Sequence, residues 1–119
     1  MLFPISWQNQ ETKLTIANGR ILSCVSTKTG IARDMWFNSV ITIKARTGGE
    51  RIRLPKRKKQ HTLKKLFQEE GIPPWEREHL PLIYLNDQLA AIGDKWISAE
   101  FYSEAETESC ISFLLTQSE

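Results

Sequence analysis

Apolar and polar residues alternate along much of this chain, and the alternation breaks in one central stretch. Residues 13–17 (KLTIA) and 20–25 (RILSCV) read as two strands around Asn18-Gly19. That pair accepts positive φ at both positions and so favours a two-residue hairpin. Residues 39–45 (SVITIKA) put Ile41, Ile43 and Ala45 on one side and Val40, Thr42 and Lys44 on the other. A period of two is that of a strand with one buried face. Thr47-Gly48-Gly49-Glu50 reads as a turn, after which Ile52 and Leu54 face one way and Arg51 and Arg53 the other.

Pro55 stops that strand, and Lys56 to Gln60 is a polar, positively charged loop. Residues 63–70 (LKKLFQEE) change period and predict a short helix. Thr62 is its expected N-cap, Gly71 takes the position after the helix, and Pro73-Pro74 prevent continuation. Leu63, Leu66 and Phe67 form the inner stripe, with Phe67 placed to meet Ile72 in a Schellman ending, while Lys64, Lys65 and Gln68 face outward. A second helical turn is expected at Pro74 to His79. Residues 81–85 (PLIYL), a turn at Asn86-Asp87, Leu89 to Ile92, Lys95 to Ser98 and Cys110 to Leu115 read as further strands. The fold class expected is α+β: mostly antiparallel strands with one or two short helices inserted in the middle.

Composition sets limits on this picture. The chain has 119 residues, 40% hydrophobic and 25% charged, as expected of a single globular domain over 1–119 with its own core. No apolar run approaches the ~20 residues that span a bilayer, so no membrane partner is expected. The start MLFPISW lacks the basic region and long apolar stretch of a secretory signal, and a cytoplasmic protein is expected. Cys24 and Cys110 are far apart among apolar or small neighbours, which suits free thiols. Together with His61 and His79 they have no zinc-site spacing, so metal is rejected.

Charge changes the picture most. Residues 44–65 carry ten basic side chains against the single acid Glu50, a net +9 within a whole-chain charge of +2, leaving −7 elsewhere. The last 22 residues hold five acids and no Lys or Arg. Such separation gives a directed field that attracts polyanions to one side. Lys56-Arg57-Lys58-Lys59 leads into the helix amino terminus, where unpaired N–H groups and the dipole already favour anions. His61 and Thr62 add neutral donors there. Arg51 and Arg53 extend the surface along a strand, and Lys64 and Lys65 along the helix. Arginine can grip a phosphate through two parallel N–H bonds and lysine acts as a mobile point charge. A solvated charged face, or a membrane-surface patch, is the competing explanation; the short helix, whose apolar stripe serves the core, argues against the latter. Trp7, Trp36 and Trp96 suit packing, while Trp75, after the double proline, is the tryptophan best placed for exposure. Charge without interleaved aromatics points to a shaped duplex over a splayed single strand.

Catalytic constellations are missing. The sequence has no Gly-x-x-x-x-Gly-Lys-Ser/Thr loop and no Gly-x-Ser-x-Gly elbow. The glycines of Thr47-Gly48-Gly49-Glu50 lie between two strands and suit a turn, not a phosphate cradle. Glu69 and Glu70 sit at a helix carboxyl end, where the dipole disfavours them, and the sequence offers no account of that. No catalytic residue is assigned.

Residues 46–98 carry a run of elements that resembles the carboxyl-terminal domain of bacterial tRNA(Ile)-lysidine synthetase. These are Arg46-x-Gly-Gly-Glu-Arg51, the basic loop, Leu63-Lys64-Lys65-Leu66-Phe67, Ile72-Pro73-Pro74-Trp75, Arg77, Pro81-Leu82 and Leu89-Ala90-Ala91-Ile92. Their order and spacing together are specific. The resemblance implies a layered α+β fold with a β-sandwich-like core, similar to a domain of the phenylalanyl-tRNA synthetase β subunit. It implies a parent enzyme that uses ATP with magnesium to ligate lysine to the wobble cytidine of a minor isoleucine tRNA. The nucleotide loop of that enzyme, of Ser-Gly-Gly-x-Asp-Ser type, has no match here, so this domain would hold no cofactor and would not be catalytic. Its implied partners are the tRNA, near its acceptor end, and the amino-terminal domains of the parent. Arg51, Lys64, Lys65 and Arg77 match recurring basic positions of the family, while Lys56 to Lys59 is denser than the usual pattern. The expected tRNA-binding set is Arg46, Arg51, Arg53, Lys56, Arg57, Lys58, Lys59, His61, Lys64, Lys65 and Arg77. The alternative is a protein-interaction module whose basic face docks on an acidic partner or on other domains of the parent.

Overall fold

The computed structural model describes residues 4–8, 11–16 and 19–117. Strands β1 (Ile5–Trp7), β5 (Ile41–Lys44), β8 (Leu82–Leu85), β9 (Gln88–Ile92) and β10 (Trp96–Ile97) form one five-stranded sheet in that order. Strands β11 (Tyr102–Glu104), β4 (Thr29–Ala32), β12 (Cys110–Gln117), β3 (Arg20–Thr27) and β2 (Lys13–Thr15) form a second. All pairings in both sheets are antiparallel. The α+β class and the sandwich-like core expected from the sequence are therefore present. Among the described residues there are also three short helices: α1 (Arg33–Phe37), α2 (Leu63–Glu69) and α3 (Pro74–Arg77).

Alternation explains the sandwich. Ile41 and Ile43 of β5, Ile83 and Leu85 of β8, and Leu22, Ile111 and Phe113 of the opposite sheet meet in one buried cluster. Trp7 and Trp36 pack there edge to face, 5.2 Å between centroids at 88°, and Phe113 touches both. Aromatic pairs with this geometry add to the burial of their area. Gly30 lets β4 pass close to β12: a Cβ there would lie 2.3 Å from the Ile111 carbonyl oxygen.

The first sheet is covered on its other face as well. Residues between β5 and β8 return across it as a two-stranded ribbon, β6 (Arg51–Ile52) with β7 (His61–Thr62), followed by α2 and α3. Ile52, Leu54, Leu63, Leu66, Phe67 and Ile72 seal a second cluster against Leu80, Leu82 and Ile92. The result is three layers: sheet, sheet, and a thin layer of ribbon and helices that carries most of the positive charge. Among the described residues no helix is long and apolar enough to cross a membrane.

Local chemistry sets these elements. The Thr62 side chain accepts a bond from Lys65 N and caps α2. At the other end Gly71 has φ +67°, Ile72 N donates to the Phe67 carbonyl at 2.9 Å and Gly71 N to that of Gln68 at 3.2 Å. Those two bonds, with Ile72 and Phe67 in one apolar cluster, make the Schellman ending the sequence predicts. Asn86 and Asp87 both have positive φ (50° and 68°), the requirement of a tight hairpin turn between β8 and β9. β2 and β3 pair as a hairpin, with Leu14 opposite Leu22 and Ile16 N donating to the Arg20 carbonyl at 2.8 Å, a register that leaves three residues between the paired positions where the sequence suggested two. Gly19 has φ +72°, and Asn18 lies outside the described residues.

Several elements differ from the sequence reading. The strand expected over Arg51 to Leu54 pairs only at Arg51 and Ile52, because Leu54 to Arg57 already forms a turn. α3 ends at Arg77, not His79. Strands β1, β4, β7 and β11 and helix α1 were not anticipated; α1 has five residues and no side-chain cap, so no local pattern announces it.

Candidate nucleic-acid interface

The ribbon, the loop after Pro55 and α2 gather the basic residues on the outer layer. Arg51, Lys56, Lys58, Lys59, Lys64 and Lys65 are exposed, and among the described residues none of them has an ion-pair partner. Arg51 reaches the surface because Ile52 beside it is buried, and Lys64 and Lys65 do so because Leu63 and Leu66 turn inward. Lys56 occupies a costly position. Arg57 N donates to the Leu54 carbonyl across a turn with Pro55 second and Lys56 third, and Lys56 has φ +69°. That geometry is of type II, where glycine or asparagine is favoured in third place.

The other expected contacts are partly spoken for within the molecule. Arg53 is half-buried and donates from Nη1 to the Arg57 carbonyl at 3.1 Å, fixing the loop. The Arg57 guanidinium lies 3.4 Å from Glu69, each side chain about 40% exposed. This pair accounts for an acid at the end of α2: it answers Arg57 from the neighbouring loop. Arg46 and Arg77 both sit over the buried Phe67 ring, 5.2 and 5.8 Å from its centroid. Arg77 also donates from Nε to the Ile72 carbonyl, tying α3 to the end of α2. His61 is half-buried and pairs with Ile52 in the ribbon.

Two features expected to attract anions are already satisfied. The Thr47-Gly48-Gly49-Glu50 turn holds its own carboxylate: Glu50 accepts from Thr47 N at 2.7 Å, Thr47 Oγ1 at 2.9 Å and Gly48 N at 2.9 Å. Partial burial pushes the Glu50 carboxyl up, but these bonds outweigh it and hold it below the usual carboxylate range. At the start of α2, Leu63 N donates to the Glu50 carbonyl and Lys65 N to Thr62. The helix end thus contributes less to anion attraction than the sequence reading expects, and side-chain charge contributes more.

Lys44, the first cation of the basic run, lies 4.5 Å above the Tyr84 ring on the outer face of the first sheet. Other residues join this surface without any local signal. Gln60, Gln88 and Glu100 line a cleft with Arg51 and Arg53. Trp75 is 73% exposed, as its place after the double proline suggested, whereas Trp7 and Trp36 are buried and Trp96 packs its ring 5.9 Å from Phe67. Cys24 and Cys110 are free, and burial pushes the Cys24 thiol up to about 12.

Residues 41–113 match the family model described as TilS substrate C-terminal domain. The chain is 37% identical over 109 residues to a tRNA(Ile)-lysidine synthase of Methylococcus capsulatus, covering 87% of this chain and 25% of that protein. It is 40% identical over 106 residues to one of Legionella pneumophila (strain Lens), covering 88% and 24%. It therefore spans about a quarter of the length of the curated relatives it matches. A crystal structure of a TILS C-terminal domain, 19% identical, shares the fold with a TM-score of 0.63 over 87% of each chain. With the family model covering more than half of its residues, this chain belongs to the TilS substrate C-terminal domain family.

Proposed function

We propose that this domain grips transfer RNA for a tRNA(Ile)-lysidine synthase, and that the ATP-dependent ligation of lysine takes place on other parts of the longer protein. The observation that carries the reading is the set of six exposed cations, Arg51, Lys56, Lys58, Lys59, Lys64 and Lys65, on one layer without acidic partners among the described residues. Such side chains are the sort that replace condensed counterions on a phosphate backbone. They carry no base-reading geometry and would set position and affinity. Arg46, Arg53, Arg57 and Arg77 have internal partners and support that surface, although each guanidinium retains N–H groups beyond the bond or contact it makes. The minor isoleucine tRNA, held near its acceptor end, is the substrate this reading assigns, with the parent's amino-terminal domains as its protein partners.

Titrating the chain with a transfer RNA at two or more salt concentrations tests the reading. With about five phosphates neutralised, log affinity falls with log salt at a slope of roughly −4 to −5. An affinity independent of salt contradicts it. Reversing Lys64 and Lys65 to Glu separates the competing docking role: loss of tRNA binding supports the grip, and loss only of docking onto the parent's other domains supports the alternative.

A further inference from the structure

Beside the exposed lysines, the outer layer contains a cleft of about 200 Å³ that no feature of the backbone grip requires. Arg51 and Arg53 form one wall, and Gln60 lies next to Arg53, one step past the Ile52–His61 pair of the ribbon. Gln88, at the start of β9, and Glu100 face them from the first sheet and the loop after β10. Leu89 adds a half-buried apolar surface. The walls are tied together by backbone bonds: Ala99 N donates to the Arg53 carbonyl at 2.8 Å and Ser98 N to that of Ala90 at 2.7 Å. Ser98 is buried, and its hydroxyl oxygen accepts from Glu100 N, which braces the loop.

The chemistry of this lining differs from that of the lysine surface. Two carboxamides each offer paired donors and an acceptor, and Glu100 offers only acceptors. A phosphate backbone has no hydrogen to give to a carboxylate, so Glu100 is misplaced in a pure phosphate site. A nucleobase edge, by contrast, displays donors and acceptors side by side, and glutamine and glutamate pair with exocyclic amino groups. Duplex RNA keeps those edges in its stack, whereas unpaired nucleotides can turn them outward. We propose that the cleft receives one unpaired nucleotide of the bound RNA whose base carries an exocyclic amino group. Arg51 meets its phosphate, Gln60 and Gln88 meet the base edge, and Glu100 accepts from the amino group. The assignment rests on the RNA-binding reading above and adds a base-reading element to it.

The test compares three hairpin RNAs bound to the chain: blunt, with a four-nucleotide cytidine tail, and with a uridine tail. The cytidine tail raises affinity about five- to tenfold over blunt, and the uridine tail gives little gain. In Gln60→Ala/Gln88→Ala the gain disappears while blunt binding and its salt slope stay as they were. In the unmodified chain, the side-chain amide resonances of Gln60 and Gln88 shift with the cytidine-tailed hairpin and not with the blunt one. Equal affinity for all three hairpins, a gain that survives the double substitution, or amide resonances that do not move overturns the cleft assignment and leaves the grip standing. A uridine tail as good as the cytidine tail overturns the assigned base class. Binding of none of the hairpins overturns the grip itself.

Discussion

Between the two sheets, strands of up to eight residues interdigitate tryptophan, phenylalanine and branched aliphatic side chains. Across the outer face of the first sheet, a smaller apolar cluster is closed by a two-residue ribbon, a seven-residue helix and arginines lying on Phe67. The first region derives its order from repeated strand pairing and needs no charge. The second is assembled from caps, turns and cation–ring contacts, and its outer surface gathers the exposed cations of the ribbon, the loop after Pro55 and α2. On the proposed reading, stability and RNA recognition are divided between layers, and the arginines bridge them: Arg46 and Arg77 pack on Phe67, and each guanidinium retains N–H groups beyond the contacts it makes.

Substitutions separate the two regions. Trp36→Ala removes a fully buried indole and its edge-to-face contact with Trp7, and should cost about 3–5 kcal/mol by chemical denaturation. Phe67→Ala should cost a similar amount, and it also unseats Arg46 and Arg77. RNA affinity measured on the folded fraction separates the two: unchanged for Trp36→Ala, reduced for Phe67→Ala. Equal RNA affinities for the two folded variants would mean that the stacked arginines do not organise the surface.

Thr62→Ala removes the cap of α2, with an expected loss of about 1 kcal/mol in thermal or denaturant unfolding. Glu69→Gln should change stability by less, because the pair with Arg57 is well exposed and solvent-screened. It frees a cation, so tRNA binding should tighten and become more salt-dependent. Lys56→Gly acts in the reverse sense: it relieves a positive φ and raises stability by up to about 1 kcal/mol, while shrinking the salt slope by roughly one. A glycine variant that is less stable would show that Lys56 packs, not merely projects.

Acid should act on the turn that supports the ribbon. Glu50 is held below its ordinary value of about 4.3, so its contribution is full above that pH and is lost as pH falls through the depressed folded value. Glu50→Gln should flatten this part of the stability–pH curve. A curve of unchanged shape would assign the acid response to other carboxylates.

The alternating strand β5 and the apolar run of β8 were legible in the sequence, as were α2 with its cap, its Schellman ending and its inner stripe. Each depends on residues close together in the chain. β4 was hidden because Gly30 and Ala32 have little strand character, and its glycine is explained only by the approach of Ile111 some eighty positions later. The charge run from Lys44 to Lys65 announced the candidate interface, but not its internal division. That Arg57 meets Glu69, that Arg46 and Arg77 share Phe67, and that Gln88 and Glu100 face Arg51 all follow from chain return, which local pattern does not encode.

On the proposed reading, exposed lysines without acidic partners hold the RNA by charge. Replacing Lys58, Lys59, Lys64 and Lys65 together by Gln and measuring tRNA affinity across a salt series tests it most directly. Each phosphate that is no longer neutralised makes the salt slope shallower by about one, so the account predicts a slope that collapses from roughly −4 or −5 toward −1, with stability nearly unchanged. A quadruple variant that binds tRNA with the original slope would contradict it.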